Sequence, residues 1–453
     1  MINFQPIKNS RNNRDATAVP EILFDQGLAL YDKKKLDEAL TVFQKVLVLK
    51  PNYAVAHYNI GNVYSDLGNL DQAIASYQKA IKVGGLDEDA ALAWYNLGNT
   101  YYRKTDIPKA INAYRTAIVI NRSLAMAYNN LGLVLTEQPD KSSHREAITV
   151  LENALKLKSD DIDALNNSGI AYGTIGNMDK AMTFFSKALK LAPQDTKSYI
   201  NSAKVFALRG NIKKAITLLK KATQIAPQDF IAHYNLGCDL SKAGRYDQAI
   251  KTYLKALHLK PDDFDCLYNL AGDYLKKKDY DLAIDCYQQA IKAKPTQPVG
   301  YYNLACVYTE QGDYESAIIT YRKAIELKPD YAEAYYNLSN TYRQQGRLNE
   351  ALKSLETASL IYQKNKNLLR VAQCYFHLGG IYMGFANRKK ALQMHLKSLK
   401  IAKKLKGKGL PAEALAKAGM TAANYSMLIG IYGQINNNKK SRQMAKEFLK
   451  IVK

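Results

Sequence analysis

The sequence predicts an all-α fold, a solenoid of about twelve antiparallel helix pairs stacked in a row. Three observations predict it. A small residue recurs at Gly27, Gly61, Gly98, Gly132, Gly169, Ala203, Gly237, Ala271, Ala305, Ser339 and Gly379, with Ile429 closing the series. Its intervals are 34 residues in most units, 37 in two, and lengthen to 40 and about 50 at the end. A second small column, twelve residues on in nearly every unit, runs from Ala39 and Ala73 to Ala391 and Ser441. A fixed period of this length marks a supersecondary unit that buries its apolar face only against copies of itself.

The elements follow in order within each unit. The first helix carries the small residue, because two helices joined by a short turn approach closely only where side chains are small. Larger residues such as Leu97, Tyr101 and Tyr114 recur at three- and four-residue spacing and fill the volume around it. Between the helices stand turn signals such as Gly68-Asn69, Gly312-Asp313 and Gly244-Arg245. The second helix carries the second column. Proline closes six units, at Pro51, Pro193, Pro227, Pro261, Pro295 and Pro329, where it stops that helix and presets the turn into the next unit.

Stretches such as HYNIGNVYSDLGNLDQAIASYQKAI from His57 and WYNLGNTYYRKTDIPKAINAYRTAI from Trp94 resemble the tetratricopeptide repeat family, over roughly Pro20 to Lys453. The resemblance implies a right-handed superhelix whose first helices line a concave inner surface. Some units depart from the pattern. The second carries extra residues around Gly84 and Gly85, expected to loosen its stacking. The fourth has extra residues around Pro139, read as an enlarged loop. The last two resemble the longer-helix repeats of kinesin light chains. The expected organisation is therefore a disordered basic arm over residues 1–19, a ten-unit array over 20–363, and two longer basic units over 364–453 with a terminal cap helix. In that cap Met444, Phe448 and Ile451 are expected to face inward.

The charge is uneven. The chain carries a net +23, and most of it falls after Lys366, where only Glu413 and Glu447 oppose a long series of Lys and Arg. Such a field favours acidic proteins or anionic membrane surfaces. Five cysteines, Cys238, Cys266, Cys286, Cys306 and Cys374, are widely spaced with no CxxC pair. That argues against a disulfide framework and for a reducing, cytoplasmic setting. At repeat positions usually held by small residues, they read as small buried hydrophobes. No apolar run is long enough for a transmembrane helix.

No catalytic pattern emerges. The six histidines form no HxxxH or HExxH arrangement, and no P-loop, GxSxG elbow or strand-borne GxGxxG is present. His57 and His233 share the column of Trp94 and read as packed core residues. No metal, cofactor, small-molecule substrate or nucleic-acid partner is expected. The repeats resemble those of O-linked N-acetylglucosamine transferases, but they fill the chain and leave no room for a transferase domain. The chain is expected not to be an enzyme.

The informative face belongs to the first helix. With the small residue as position 8, positions 4, 8 and 11 face the partner helix, and 2, 6, 9 and 13 form another stripe. Position 6 is Asn in nine consecutive units: Asn59, Asn96, Asn130, Asn167, Asn201, Asn235, Asn269, Asn303 and Asn337. Six follow a tyrosine: Tyr58, Tyr95, Tyr234, Tyr268, Tyr302 and Tyr336. A carboxamide offers both a donor and an acceptor, so it can pair with an extended peptide backbone, and tyrosine adds apolar area with little entropy to lose. The transferase resemblance implies peptide binding at these positions. The alternative is structural, with Asn bridging neighbouring first helices. No unit has Arg at position 6, and position 5 lacks Lys, so a clamp for chaperone C-termini is not expected.

The function expected is a non-catalytic scaffold that binds extended peptides or partner proteins in the groove. Two alternatives stand beside it. One is an electrostatic tether that docks the basic C-terminal units on an anionic membrane, acidic protein or nucleic acid, the last the least expected, using Lys390, Lys397, Lys400 and Lys404 on a helix whose other side packs Leu392, Leu396 and Leu399. The other is a targeting subunit of a larger enzyme or secretion assembly.

Overall fold

The computed structural model describes residues 19–84, 88–406, 421–434 and 437–452. The arm expected over residues 1–19 lies outside them except for Val19, which opens the first helix, Val19–Asp32. Among the described residues every regular element is an α-helix, and twenty-four helices form twelve consecutive pairs. None is long and apolar enough to cross a membrane. The chain divides into two compact units, Met1–Pro227 and Gln228–Lys453, each with six pairs.

Local chemistry sets where helices begin. Asp161, Asp195, Asp229 and Asp263 are N-caps, each accepting the backbone N–H three residues on, worth ~1 kcal/mol apiece. Pro193, Pro227 and Pro261 precede three of these caps by two residues, so one short segment both ends a helix and starts the next. Inside the pairs, the turn needs one left-handed residue. Glycine supplies it at Gly244 and Gly312, with φ of 72° and 91°, whereas Thr105, Lys278 and Ala386 adopt it with a side chain present.

The two small columns hold the pairs together. A ring from the second helix lies on position 8 of the first: a Cβ at Gly61 would come within 2.6 Å of the Tyr77 ring, and one at Gly237 within 2.5 Å of Tyr253. Phe43, Tyr77, Tyr114, Phe185 and Tyr253 hold this place in their pairs and are buried. The columns Ala39, Ala73 and Ala110 are buried too, and Ser339 adds a hydrogen bond from its hydroxyl to the Ala351 carbonyl.

The fourth pair differs from expectation. Its extra residues lengthen the loop by only one, to residues 137–140; Asp140 caps the helix Lys141–Leu157, and the insertion goes mainly into that longer helix. The added segment of the second unit falls partly outside the described residues. In the second compact unit one apolar cluster runs from Ala305 through Leu338 and Leu355 to Cys374 and Ile381. The ninth, tenth and eleventh pairs therefore share a core across residue 363. The last two pairs close around Leu399, Tyr425, Leu428 and Tyr432, with Met444 packed against them. The side chains of Phe448 and Ile451 lie outside the described residues.

Candidate functional site

Position 6 obeys one rule through nine repeats. Wherever position 5 of the preceding repeat carries a polar acceptor, the Asn amide donates to it. Asn96 donates to Tyr58 Oη at 2.8 Å, Asn130 to Tyr95 at 3.1 Å, Asn269 to Tyr234 at 3.1 Å, and Asn337 to Tyr302 at 2.9 Å. Asn303 donates to Tyr268 in the same way. Where position 5 is itself Asn, its carbonyl accepts: Asn129 Oδ1 from Asn167 at 2.8 Å, and Asn166 Oδ1 from Asn201 at 3.4 Å. Two repeats follow one with an apolar position 5, Phe24 or Ile200. In those, Asn59 and Asn235 turn back onto the carbonyls of Val55 and Ile231 in their own helices.

Position 9, which sequence reasoning did not single out, completes the node in four repeats. Asn62 Oδ1 accepts from Tyr77 Oη at 2.7 Å and from Asn96 at 3.0 Å. Asn99 does the same for Tyr114 and Asn130. In the second unit a thiol takes this place: Cys306 Sγ receives Tyr321 Oη at 3.3 Å and Asn337 at 3.7 Å, and Cys238 receives Asn269 at 3.5 Å. Cys238 and Cys306 are thus hydrogen-bonded members of the polar ladder; the buried Cys266, Cys286 and Cys374 lie outside it, Cys266 donating instead to the Tyr253 carbonyl at 3.6 Å. The reading of all five as small buried hydrophobes fails at these two, which are half-buried and hydrogen-bonded, because a thiol can stand where Asn stands elsewhere. Burial raises both thiols above their ordinary pKa, leaving them protonated and unreactive at neutral pH.

These bonds decide what the ladder can offer a ligand. Both amide hydrogens of Asn96, Asn130, Asn269 and Asn337 have acceptors within the fold. In Asn269, Asn303 and Asn337 no protein donor reaches Oδ1 among the described residues, and the side chains are half-buried, open on one side. The ladder of the second unit therefore presents carbonyl oxygens in a fixed orientation. Asn59 and Asn96 are buried and present little. Burial also holds the hydroxyls of Tyr58, Tyr95, Tyr234, Tyr268 and Tyr302 above the ordinary phenol pKa, so they stay neutral acceptors.

The ladder ends at the tenth repeat. Tyr336 meets His377, which occupies position 6 of the eleventh, edge to face at a centroid distance of 5.5 Å. His377 Nδ1 lies 3.2 Å from Arg343. Burial, then Arg343, pushes the histidine down to about 4, so at neutral pH it is an uncharged acceptor for the guanidinium.

Lys390, Lys397, Lys400 and Lys404 are all exposed on the helix Arg388–Lys406. Lys390 lies over the Tyr382 ring at 5.2 Å and Lys397 over Tyr375 at 5.4 Å. Leu399 is buried and Leu392 half-buried, but Leu396 is 38% exposed; it sits at the edge of the lysine face rather than in the core. Among the described residues no group of three His, Cys, Asp or Glu is placed to hold a metal ion.

Two grooves show what the repeat geometry itself produces. One lies between Gln288, Tyr301, Leu304, Tyr308 and Ile319, the other between Gln78, Trp94, Leu97, Tyr101 and Asn112. They occupy the same register, on the side of the second helices, in two different repeats.

Comparison with known proteins follows the same lines. Residues 5–234 match the family of the C-terminal domain of cilia and flagella-associated protein 70. Residues 234–298, 286–319, 306–342 and 330–404 match tetratricopeptide repeat families. No curated protein matches the chain. Among solved structures, a tetratricopeptide repeat protein from Parabacteroides merdae is 18% identical, over 56% of this chain and 98% of its own, with a TM-score of 0.48. MamA is 31% identical over 39% of this chain and 94% of its own, with a TM-score of 0.34. YrrB, a TPR protein with an unusual peptide-binding site, is 26% identical over 42% and 95%, with a TM-score of 0.35.

Proposed function

The chain belongs to the tetratricopeptide repeat family of the C-terminal domain of cilia and flagella-associated protein 70, and from that premise we propose that it is a non-catalytic scaffold holding extended segments of partner proteins. The observation that carries this reading is the row of half-buried Asn269, Asn303 and Asn337, whose amides are fixed by Tyr234, Tyr268 and Tyr302 and whose Oδ1 atoms are open. An extended peptide lying across the first helices supplies backbone N–H groups to such acceptors. Neighbouring helices packed at ~8–10 Å put one rung about every three residues of a chain that rises ~3.3 Å per residue. Because the rungs are already oriented, binding orders few protein side chains and wastes little affinity on entropy. Half-exposed Tyr268, Tyr302 and Tyr336 give the same segment rings to pack on.

The reading predicts where a ligand sits. Peptides selected from a random phage library on the full chain, then remade with a benzophenone side chain, should crosslink to first helices such as Phe264–Lys276 and Pro298–Gln311. Crosslinks confined to second helices would overturn it.

A second reading rests on the exposed lysines of Arg388–Lys406. That face is an electrostatic tether for an acidic protein surface, and it acts independently of the ladder.

A further inference from the structure

The position-9 node is missing from several repeats, among them the fifth and sixth, and a cavity of about 300 Å³ opens between those two. Position 9 is Ile170 and Lys204 instead of Asn or Cys, and the side chains below are Phe185 and Leu219, which carry no hydroxyl. Position 12 of the fifth repeat is Gly173, where a Cβ would meet nothing within 4 Å. Ser65, Tyr102 or Leu275 occupies that place in other repeats. The missing side chain leaves a hole between Ile162–Thr174 and Thr196–Leu208, floored by buried Phe185 and Val205 and walled by Ile170 and Met178. Leu208, 65% exposed, stands at its mouth. Unlike the two side grooves, this cavity opens on the ladder face, beside the Asn201 rung.

Besides Asn201 and Thr174, whose hydroxyl donates to the Ala171 carbonyl, its polar lining is Lys204, exposed and without a carboxylate partner among the described residues. The nearby acids are committed: Asp163 to Lys197 at 2.9 Å and Asp179 to Arg209 at 2.7 Å. An apolar hole with one convergent cation, beside the Asn201 carboxamide, selects a particular occupant.

We propose that this cavity is the specificity pocket of the scaffold, taking a bulky apolar side chain (Leu, Met or Phe) from a partner segment that carries Asp or Glu beside it. The proposal rests on the peptide-scaffold reading above and adds the sequence preference to it. Lys204 pairs with the acid, Phe185 and Leu208 enclose the apolar side chain, and the Asn201 carbonyl meets the adjoining backbone.

The test uses the same phage selection on the full chain, repeated with Gly173→Leu and Lys204→Glu. Leucine at 173 fills the cavity and favours the helix it sits in, so folding is preserved; circular dichroism verifies this. Peptides selected on the wild type should share an apolar–acidic pair and bind Gly173→Leu at least tenfold more weakly, the order of one lost buried side chain. Against Lys204→Glu they should weaken about two- to fivefold, as for an exposed ion pair, and Lys-bearing versions should bind better. If selected peptides crosslink to the first helices yet bind Gly173→Leu like the wild type, the pocket assignment falls and the scaffold stands. If no peptide is enriched, both fall. If Gly173→Leu instead abolishes a concentration-dependent self-association, the occupant is a second copy of this chain and the proposal is overturned.

Discussion

The hydrogen bond from Asn303 to Tyr268 can be cut from either end, and the two cuts have different costs. Tyr268→Phe keeps the ring on Tyr287 and Phe264 and removes only the hydroxyl. The amide left behind is half-buried and water reaches it, so the loss is that of one neutral hydrogen bond, ~1 kcal/mol. Asn303→Ala removes the same bond but replaces Asn by a better helix former, which returns ~0.5 kcal/mol. Its net cost is therefore only ~0.5 kcal/mol. The double variant separates the terms, because the propensity gain cancels in the cycle and leaves the bond itself, a coupling of ~0.5–1.5 kcal/mol. Urea unfolding followed by circular dichroism at 222 nm reads it. For a domain of ~150–250 residues, the size of Gln228–Lys453, 1 kcal/mol corresponds to a Tm change of ~2–4 °C. A coupling within error of zero would refute the claim that the Asn–Tyr pairs join successive repeats. Position 6 would then be free for ligands alone.

Other perturbations follow from the same geometry. Lys278 holds φ of 64° in a turn where other repeats place glycine; Lys278→Gly should stabilise by ~0.5 kcal/mol, the left-handed strain relieved less the entropy glycine adds to the unfolded chain, and a lowered Tm would contradict this. His377, pushed down to about 4 in the folded state, gains its proton more readily when unfolded. Its contribution is thus complete above the unfolded value of ~6.5 and is lost as pH falls from there towards 4, with a slope of at most ~1.4 kcal/mol per pH unit. His377→Asn, which restores the residue of the preceding nine repeats, should flatten stability between pH 6.5 and 5; an unchanged profile would place the titration elsewhere. Retention on heparin should fall steeply as salt rises through the physiological range, and Lys390→Ala with Lys397→Ala and Lys400→Ala should weaken it. Salt-insensitive retention would reject the tether.

The helix pairs were legible because packing constrains them: Gly61 lies under Tyr77 and Gly237 under Tyr253, so the column survives as a repeated letter. The Asn column was legible as a repeated letter too, and in seven of its nine repeats the preceding position 5 offers the amide an acceptor. What the Asn column is for could not be read from its letters, since its partner is set by position 5 of the preceding repeat, whether Tyr95, Asn129 or Ile200. Position 9 escaped notice because Asn62, Asn99, Cys238 and Cys306 look unrelated while accepting equivalent bonds. The cavity beside Gly173 is marked only by a missing side chain. Leu396 was misplaced because a three- to four-residue spacing fixes a helix face only to within a broad stripe.

The central claim is that the ladder has two jobs, with Nδ2 joining repeats and Oδ1 receiving ligand. Titration of a selected peptide into two triple variants tests it most directly. One replaces Asn269, Asn303 and Asn337 by Ala; the other replaces Tyr234, Tyr268 and Tyr302 by Phe. Both delete the same three Asn–Tyr hydrogen bonds; the first also removes the two weak amide–thiol bonds to Cys238 and Cys306 and, unlike the second, the open carbonyls. The account predicts at least a tenfold loss of affinity for the Asn variant and a change of about twofold or less for the Tyr variant, with both proteins folded. Equal affinity for the Asn variant and the wild type would contradict it.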